Sequence, residues 1–198
     1  GQNNALYRNK GDGTFQKITQ GNIVTDGGRS TCGAWADCDS DGFLDLYVTN
    51  WGQNNFFYHN NGDGTFTRIV DRELTNDNSS SIGCSWADYD NDGDLDLLVV
   101  NGFEDNFLCR NEGNGQFTRI SSGPIIDDSG FSCSSSWGDF DNDGDLDLFI
   151  ANWNEPSGKK NSLFENTGQG NFRRVTNSQV VLDEAHSVGS SWGDIDND

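Results

Sequence analysis

The sequence predicts an all-β chain built from a repeated four-stranded unit: a β-propeller in which each unit is one blade. Three observations lead there. A Trp recurs at a fixed step, with Trp35, Trp86 and Trp137 spaced 51 residues apart and Trp192 following after 55. A Gly-rich segment keeps the same step, as residues 9–15, 60–66, 111–117 and 166–172, each opening on Asn and closing on Phe. The intervening apolar runs are short, rich in Val, Ile, Leu, Phe and Tyr, and lack a helical period, so they read as strands. Self-similarity at a period of about 50, with glycines and aromatics at fixed offsets and no helix, matches propeller blades.

Within the second unit the first strand is expected at 82–87, running into Trp86, and the second at 95–101. The second strand is apolar on both faces, as suits a strand lying between neighbouring sheets. A third strand at 106–111 turns through the Gly-rich hairpin into a fourth at 116–120. The same division over the whole chain gives third and fourth strands of a blade in 1–22, full blades in 23–74, 75–126 and 127–180, and the start of a further blade in 181–198. Asn4, Asn55, Asn106 and Asn161 each stand five residues before the Gly-rich motif. The four extra residues of the last full repeat fall between Asn152 and Asn161, where a loop can absorb them. Trp35, Trp86, Trp137 and Trp192 are expected to pack between blades, with sugar stacking as the alternative.

Chemistry is concentrated between the first and second strands. Each Trp opens a Trp-x-Asp-x-Asp-x-Asp run. Three of the four copies continue to Gly-x-x-Asp, which gives Asp37, Asp39, Asp41 and Asp45; Asp88, Asp90, Asp92, Asp94 and Asp96; and Asp139, Asp141, Asp143, Asp145 and Asp147. The fourth contains Asp194, Asp196 and Asp198. Carboxylates at alternating positions around a Gly turn converge, and a hard cation that takes six to eight oxygens makes convergence stable. An ordinary hairpin turn needs one or two such residues, not four or five acids. Position twelve is Val48, Val99 or Ile150, so these are not helix-flanked EF-hand loops. The spacing predicts one Ca²⁺ per complete loop, bound by the side chains at positions one, three, five and nine and by the position-seven carbonyl of Phe43, Asp94 or Asp145. The fourth loop lacks a position-nine acid and is expected to be weak unless another chain completes it.

The charge balance agrees. Thirty-two acidic and 12 basic residues give a net charge of −20, and 17 of the acids lie in the four loops. Four bound Ca²⁺ would bring the net to about −12. A chain this negative is not suited to nucleic acid or to an anionic membrane surface. No apolar run approaches the roughly 18–20 residues of a membrane span.

On these paired motifs the chain resembles the FG-GAP/VCBS repeat family, the calcium-loop propellers of integrin α-subunit heads, and is closest in style to its UnbV-like secreted members. The resemblance covers essentially the whole chain. It implies a seven-bladed propeller, an extracellular, secreted or cell-surface location, and calcium in the loop between the first and second strands of a blade. Seven blades at this period need roughly 350–400 residues. The 198-residue chain is therefore expected to be a segment covered by further blades of the same polypeptide, or by another copy. A closed four-bladed ring is the alternative.

Catalysis finds little support. His59 and His186 are the candidate bases at neutral pH, and His59 is expected to be an exposed strand residue at the position held elsewhere by Arg8, Arg110 and Glu165. The clustered acids are committed to cation binding, so no acid/base pair is left over. The alternative class is the propeller part of a secreted polysaccharide lyase or hydrolase. Cys32, Cys38, Cys84, Cys109 and Cys133 show no zinc spacing and read as small buried residues of the inner strands, while disulfides remain compatible with secretion. Asn78 opens an Asn-Ser-Ser glycosylation sequon. A protein or glycan ligand is expected on the face opposite the calcium loops, where Trp51, Phe103 and Trp153 recur among Asn and Gly. The leading function is a calcium-binding adhesion or recognition module, followed by a structural unit of a surface assembly.

Overall fold

The computed structural model describes residues 1–70, 72–153 and 160–193. Two short strands come first, β1 (Leu6–Asn9) and β2 (Phe15–Ile18). Three four-strand groups follow. The first is β3 (Ser30–Ala36), β4 (Asp45–Asn50), β5 (Phe56–Asn60) and β6 (Phe66–Ile69). The second is β7 (Ser81–Ala87), β8 (Asp96–Asn101), β9 (Phe107–Asn111) and β10 (Phe117–Arg119). The third is β11 (Ser132–Gly138), β12 (Asp147–Asn152), β13 (Ser162–Asn166) and β14 (Phe172–Val175). Each group is one antiparallel sheet with its strands in chain order, and β1 pairs with β2 in a sheet of two. These sheets are propeller blades, the all-β class expected.

The blades pack through their second strands. In β8 the two faces serve different cores, because side chains alternate along a strand. Leu97 and Val99 join Tyr47, Phe57 and Phe107 between the first and second blades. Leu98 and Val100 join Leu148, Ile150 and Phe164 between the second and third. All six residues of β8 are buried. Each such aliphatic side chain contributes about 1.5–3 kcal/mol on burial, which explains why the second strands lack a polar alternation: β4 is buried at all six positions as well.

The first strands β3, β7 and β11 lie alongside one another. Thr31 Oγ1 donates to Ser81 O at 2.8 Å, and the hydroxyls of Ser85 and Ser135 are 2.8 Å apart. The approach is close enough that a Cβ on Gly83 would meet Cys133 O at 2.9 Å.

Two expectations are corrected. The repeat was read as free of helix, but three single turns occur: α1 (Asn22–Thr25), α2 (Arg72–Thr75) and α3 (Gln179–Leu182). α1 inserts Ile23 and Val24 into a core with Leu46 and Val48, and α2 inserts Leu74 beside Tyr47. A single turn is too short to leave a helical period in the sequence. The cysteines were read as inner-strand residues, but only Cys32, Cys84 and Cys133 lie on first strands. Cys38 lies in the first acidic loop and Cys109 on β9, and all five are free thiols. No helix among the described residues is long and apolar enough to cross a membrane.

Candidate metal centre in the acidic loops

Each acidic loop joins a first strand to a second strand, and its backbone is fixed by its own carboxylates. Position one accepts two amides from the far side of the turn. Asp88 Oδ1 and Oδ2 accept Asp92 N and Gly93 N, both at 3.0 Å, and Asp37 and Asp139 do the same with their counterparts. Position five accepts the position-seven amide, with Asp41 receiving Phe43 N, Asp92 receiving Asp94 N and Asp143 receiving Asp145 N. The turn needs the left-handed region twice. Ser40, Asn91 and Asn142 take φ near 60° at position four, and Gly42, Gly93 and Gly144 take φ of 91°, 98° and 94° at position six.

The position-nine acid is the buried floor of each loop: Asp45 and Asp147 are fully buried and Asp96 is 1% exposed. Asp96 accepts Asn111 N at 2.7 Å on one oxygen and Tyr89 N at 3.1 Å on the other. Asp147 accepts Asn166 N and Phe140 N in the same way. In the first loop, Asp45 accepts Asn60 N, and the Cys38 thiol takes the remaining place at 3.0 Å.

Above that floor the carboxylates converge. One ligand atom from each of Asp88, Asp90 and Asp96 lies within 4.8 Å of the others, as does one from each of Asp139, Asp141 and Asp147. In the first loop the same holds for Asp37, Asp39 and Asp41, and for Asp39, Asp45 and His59. Positions one, three and nine therefore come together in the second and third loops. Position five joins such a group only in the first. At position seven the side chains of Phe43, Asp94 and Asp145 lie against the hairpin glycines Gly62, Gly113 and Gly168, away from the cluster. Asp194, Asp196 and Asp198 lie outside the described residues.

The electrostatics are those of a site short of positive charge. Asp39, Asp90 and Asp141 are held above the ordinary carboxylate range, by desolvation first and then by neighbouring acids. Burial pushes Asp96 up to about 7 despite its two backbone hydrogen bonds, and raises Asp147 for the same reason. Asp39 Oδ1 is shielded from solvent with no hydrogen-bond partner. An all-oxygen set of this kind suits a hard divalent cation, which favours the ionised form of every acid around it. These residues fit Ca²⁺.

Two features went unread in the sequence. His59, expected to be exposed, is only 31% exposed at its side chain and faces the first loop, with Nδ1 3.1 Å from Asp45 Oδ1. In the second and third blades the Asn that opens the Gly-rich motif fastens neighbouring loops together. Asn111 Nδ2 donates to Leu95 O in its own loop and, at 2.7 Å, to Cys38 O in the preceding blade's loop. Asn166 repeats this with Leu146 O and Tyr89 O. The recurrence of that Asn at every repeat was the available signal. The second Asn series closes the opposite ends of the blades, where Asn55, Asn106 and Asn161 accept the last amide of the second strand.

Repeated propeller blades, each with an acidic loop between its first two strands, define a class of tandem-repeat protein in which the acidic clusters and the fold share the same residues. Four overlapping stretches, residues 1–48, 37–99, 88–150 and 139–198, match the FG-GAP-like repeat. The chain belongs to the FG-GAP-like repeat family. It is also similar to human cartilage acidic protein 1, with 30% identity over 124 residues, covering 61% of this chain and 19% of that protein. The chain thus spans about a fifth of the length of that relative.

Proposed function

We propose that the three described loops each hold one Ca²⁺, and that the chain is the calcium-stabilised blade array of an extracellular recognition or adhesion protein. One observation carries the calcium reading: position-one, -three and -nine carboxylates converge on a buried aspartate whose ionisation is suppressed in the cation-free loop. Among the described residues the cation nearest the third loop, Arg173, is paired with Glu165 rather than with the loop acids, and Glu165 adds a further negative charge beside Asp141. An oxidising, calcium-rich extracellular medium is where such loops would fill. Calorimetric titration of the cation-free chain with CaCl₂ tests the reading. Binding to the three loops, weakened by Asp96→Asn and by Asp147→Asn separately, is expected; a flat titration would remove it.

The recognition half of the reading draws on the face opposite the loops. There Phe103 is 57% exposed at φ 77°, an uncommon backbone state for a bulky residue. Its ring meets Phe131 edge-on at 4.8 Å and Trp51 at 6.5 Å, so one aromatic cluster spans adjacent blades. Strained, exposed aromatics of this kind suit a protein or glycan contact. Glycan-array binding lost on Phe103→Ala, with the calcium titration unchanged, is the expected result.

A further inference from the structure

His59 makes the first loop chemically different from the other two. Its Nδ1 is 3.1 Å from Asp45 Oδ1 and 3.3 Å from Asp39 Oδ2, and its Nε2 is 3.9 Å from Asp41 Oδ2. The equivalent third-strand positions carry Arg110 and Glu165. Arg110 has no lone pair to offer and is paired with Glu112 at 2.6 Å, while Glu165 brings only oxygen. The imidazole nitrogen is therefore peculiar to the first site.

Its placement suits a ligand better than it suits an ion pair. A single N–H on Nδ1 points at one acceptor, yet two carboxylates from different parts of the loop flank that atom. One of them, Asp39, also keeps its other oxygen shielded and without a hydrogen-bond partner. Separations of 3.1 and 3.3 Å are those of adjacent ligands around one divalent cation of either size, so the donor type decides between ions, and Zn²⁺ binds His and Asp alike. Calcium, with bonds of about 2.3–2.6 Å, selects oxygen and gains little from imidazole. A mixed nitrogen–oxygen set favours borderline transition ions instead.

Resting on the reading that the loops are cation sites, we propose that the first loop, which takes Ca²⁺ when calcium alone is supplied, prefers a divalent transition ion of the Zn²⁺ class through His59 Nδ1, Asp39 and Asp45, while the second and third loops remain hard-cation sites. His59 is then the residue that sets metal preference along the chain.

The test uses the whole cation-free chain, titrated calorimetrically with CaCl₂, with ZnCl₂, and with ZnCl₂ in excess CaCl₂. The imidazole resonances are followed by NMR in the same samples. The chain has two histidines, so the ring signals report His59 against His186 as an internal control. One equivalent of Zn²⁺ taken up in excess Ca²⁺, with a shift of the His59 ring alone, is expected. His59→Asn should weaken Zn²⁺ at least tenfold and leave Ca²⁺ uptake by the other loops unchanged. No Zn²⁺ uptake in excess Ca²⁺, uptake without a His59 ring response, or an unaltered His59→Asn titration would overturn the proposal. Should that variant not fold, the wild-type ring spectrum decides. Zinc bound through His59 by a chain that takes no calcium would sustain the assignment of the first loop to Zn²⁺ and remove the calcium reading of all three loops; calcium uptake without zinc would do the reverse.

Discussion

The indole Nε1 of Trp137 donates to Ser85 Oγ at 2.9 Å across the junction between the second and third blades. Ser85 is the residue immediately before Trp86, which itself donates to Ala34 O, the residue immediately before Trp35. Trp192 continues the series to Ser136 O at 3.1 Å. The same Trp137 ring packs on Tyr89 of the preceding blade and Phe172 of its own. The recurring Trp thus joins blades by a polar bond at its edge and by apolar contact over its face.

Replacing Trp137 separates those two contributions. Trp137→Phe keeps most of the ring contact and loses the N–H, so it should cost about 0.5–1.5 kcal/mol. Trp137→Ala also opens a cavity and should cost about 3–5 kcal/mol. Urea unfolding in millimolar calcium measures both, and equal losses would mean that the ring contributes nothing.

Asn166→Ala removes the donor shared by Tyr89 O, which is buried, and Leu146 O, which is partly buried, in two neighbouring loops. The expected loss is about 1–3 kcal/mol for each carbonyl left unpaired, together with weaker calcium binding at both the second and third loops. Asn60, whose amide reaches Leu44 O within its own blade, supplies the comparison, and Asn60→Ala should cost less. Calcium calorimetry on the two variants distinguishes them.

Cation-free protein should lose stability as pH rises. Asp96 has a folded pKa of about 7, raised by burial above the unfolded value of about 3.9. Between those values the folded chain holds more protons than the unfolded chain, so unfolding free energy falls as pH increases. In EDTA the melting temperature is expected to drop from pH 5 to pH 7.5. With calcium bound the acids stay ionised, and the trend should flatten or reverse. A rising melting temperature in EDTA over that range would contradict the burial argument.

Chelation should also act locally. A ligand at a hundredfold excess over its Kd contributes about 2.7 kcal/mol per site to the folded state. EDTA is therefore expected to lower the melting temperature and to open cleavage near residues 37–45, 88–96 and 139–147. Asp90→Ala should reproduce the cleavage in the second loop alone. Peptide mapping after brief proteolysis reads the outcome.

Much of the blade was legible because its signals are local. The second blade's strands start and stop within a residue or two of where the apolar runs and the Gly hairpin placed them, since both carry their information in adjacent residues. The convergence of Asp88, Asp90 and Asp96 was legible for the same reason: a tight turn brings its own acids together. His59 was misread because its partners Asp39, Asp41 and Asp45 reach it only through the pairing of β4 with β5, and strand register decides which way it points. The pair of hydrogen bonds from Asn111 Nδ2 was invisible because Cys38 belongs to another blade, 73 residues away. The turns α1 to α3 were missed because two apolar residues carry no period.

The junctions join the same repeat positions from blade to blade, although Trp137 donates to the Ser85 hydroxyl where Trp86 and Trp192 donate to a carbonyl, and that bears on how such chains can change in copy number. Asn111 reaches Cys38 and Asn166 reaches Tyr89, each the second residue of the loop in the blade before it. Trp86, Trp137 and Trp192 likewise each reach the residue before the previous Trp. A duplication or deletion of one whole repeat therefore recreates the donor and acceptor pairs at the new seam, wherever within the repeat the crossover falls. An event that is not a whole repeat long strands donors on one side and carbonyls on the other. Among copy-number changes, those of whole blades are thus the ones expected to fold, because each of these hydrogen bonds runs from one blade to the one before it.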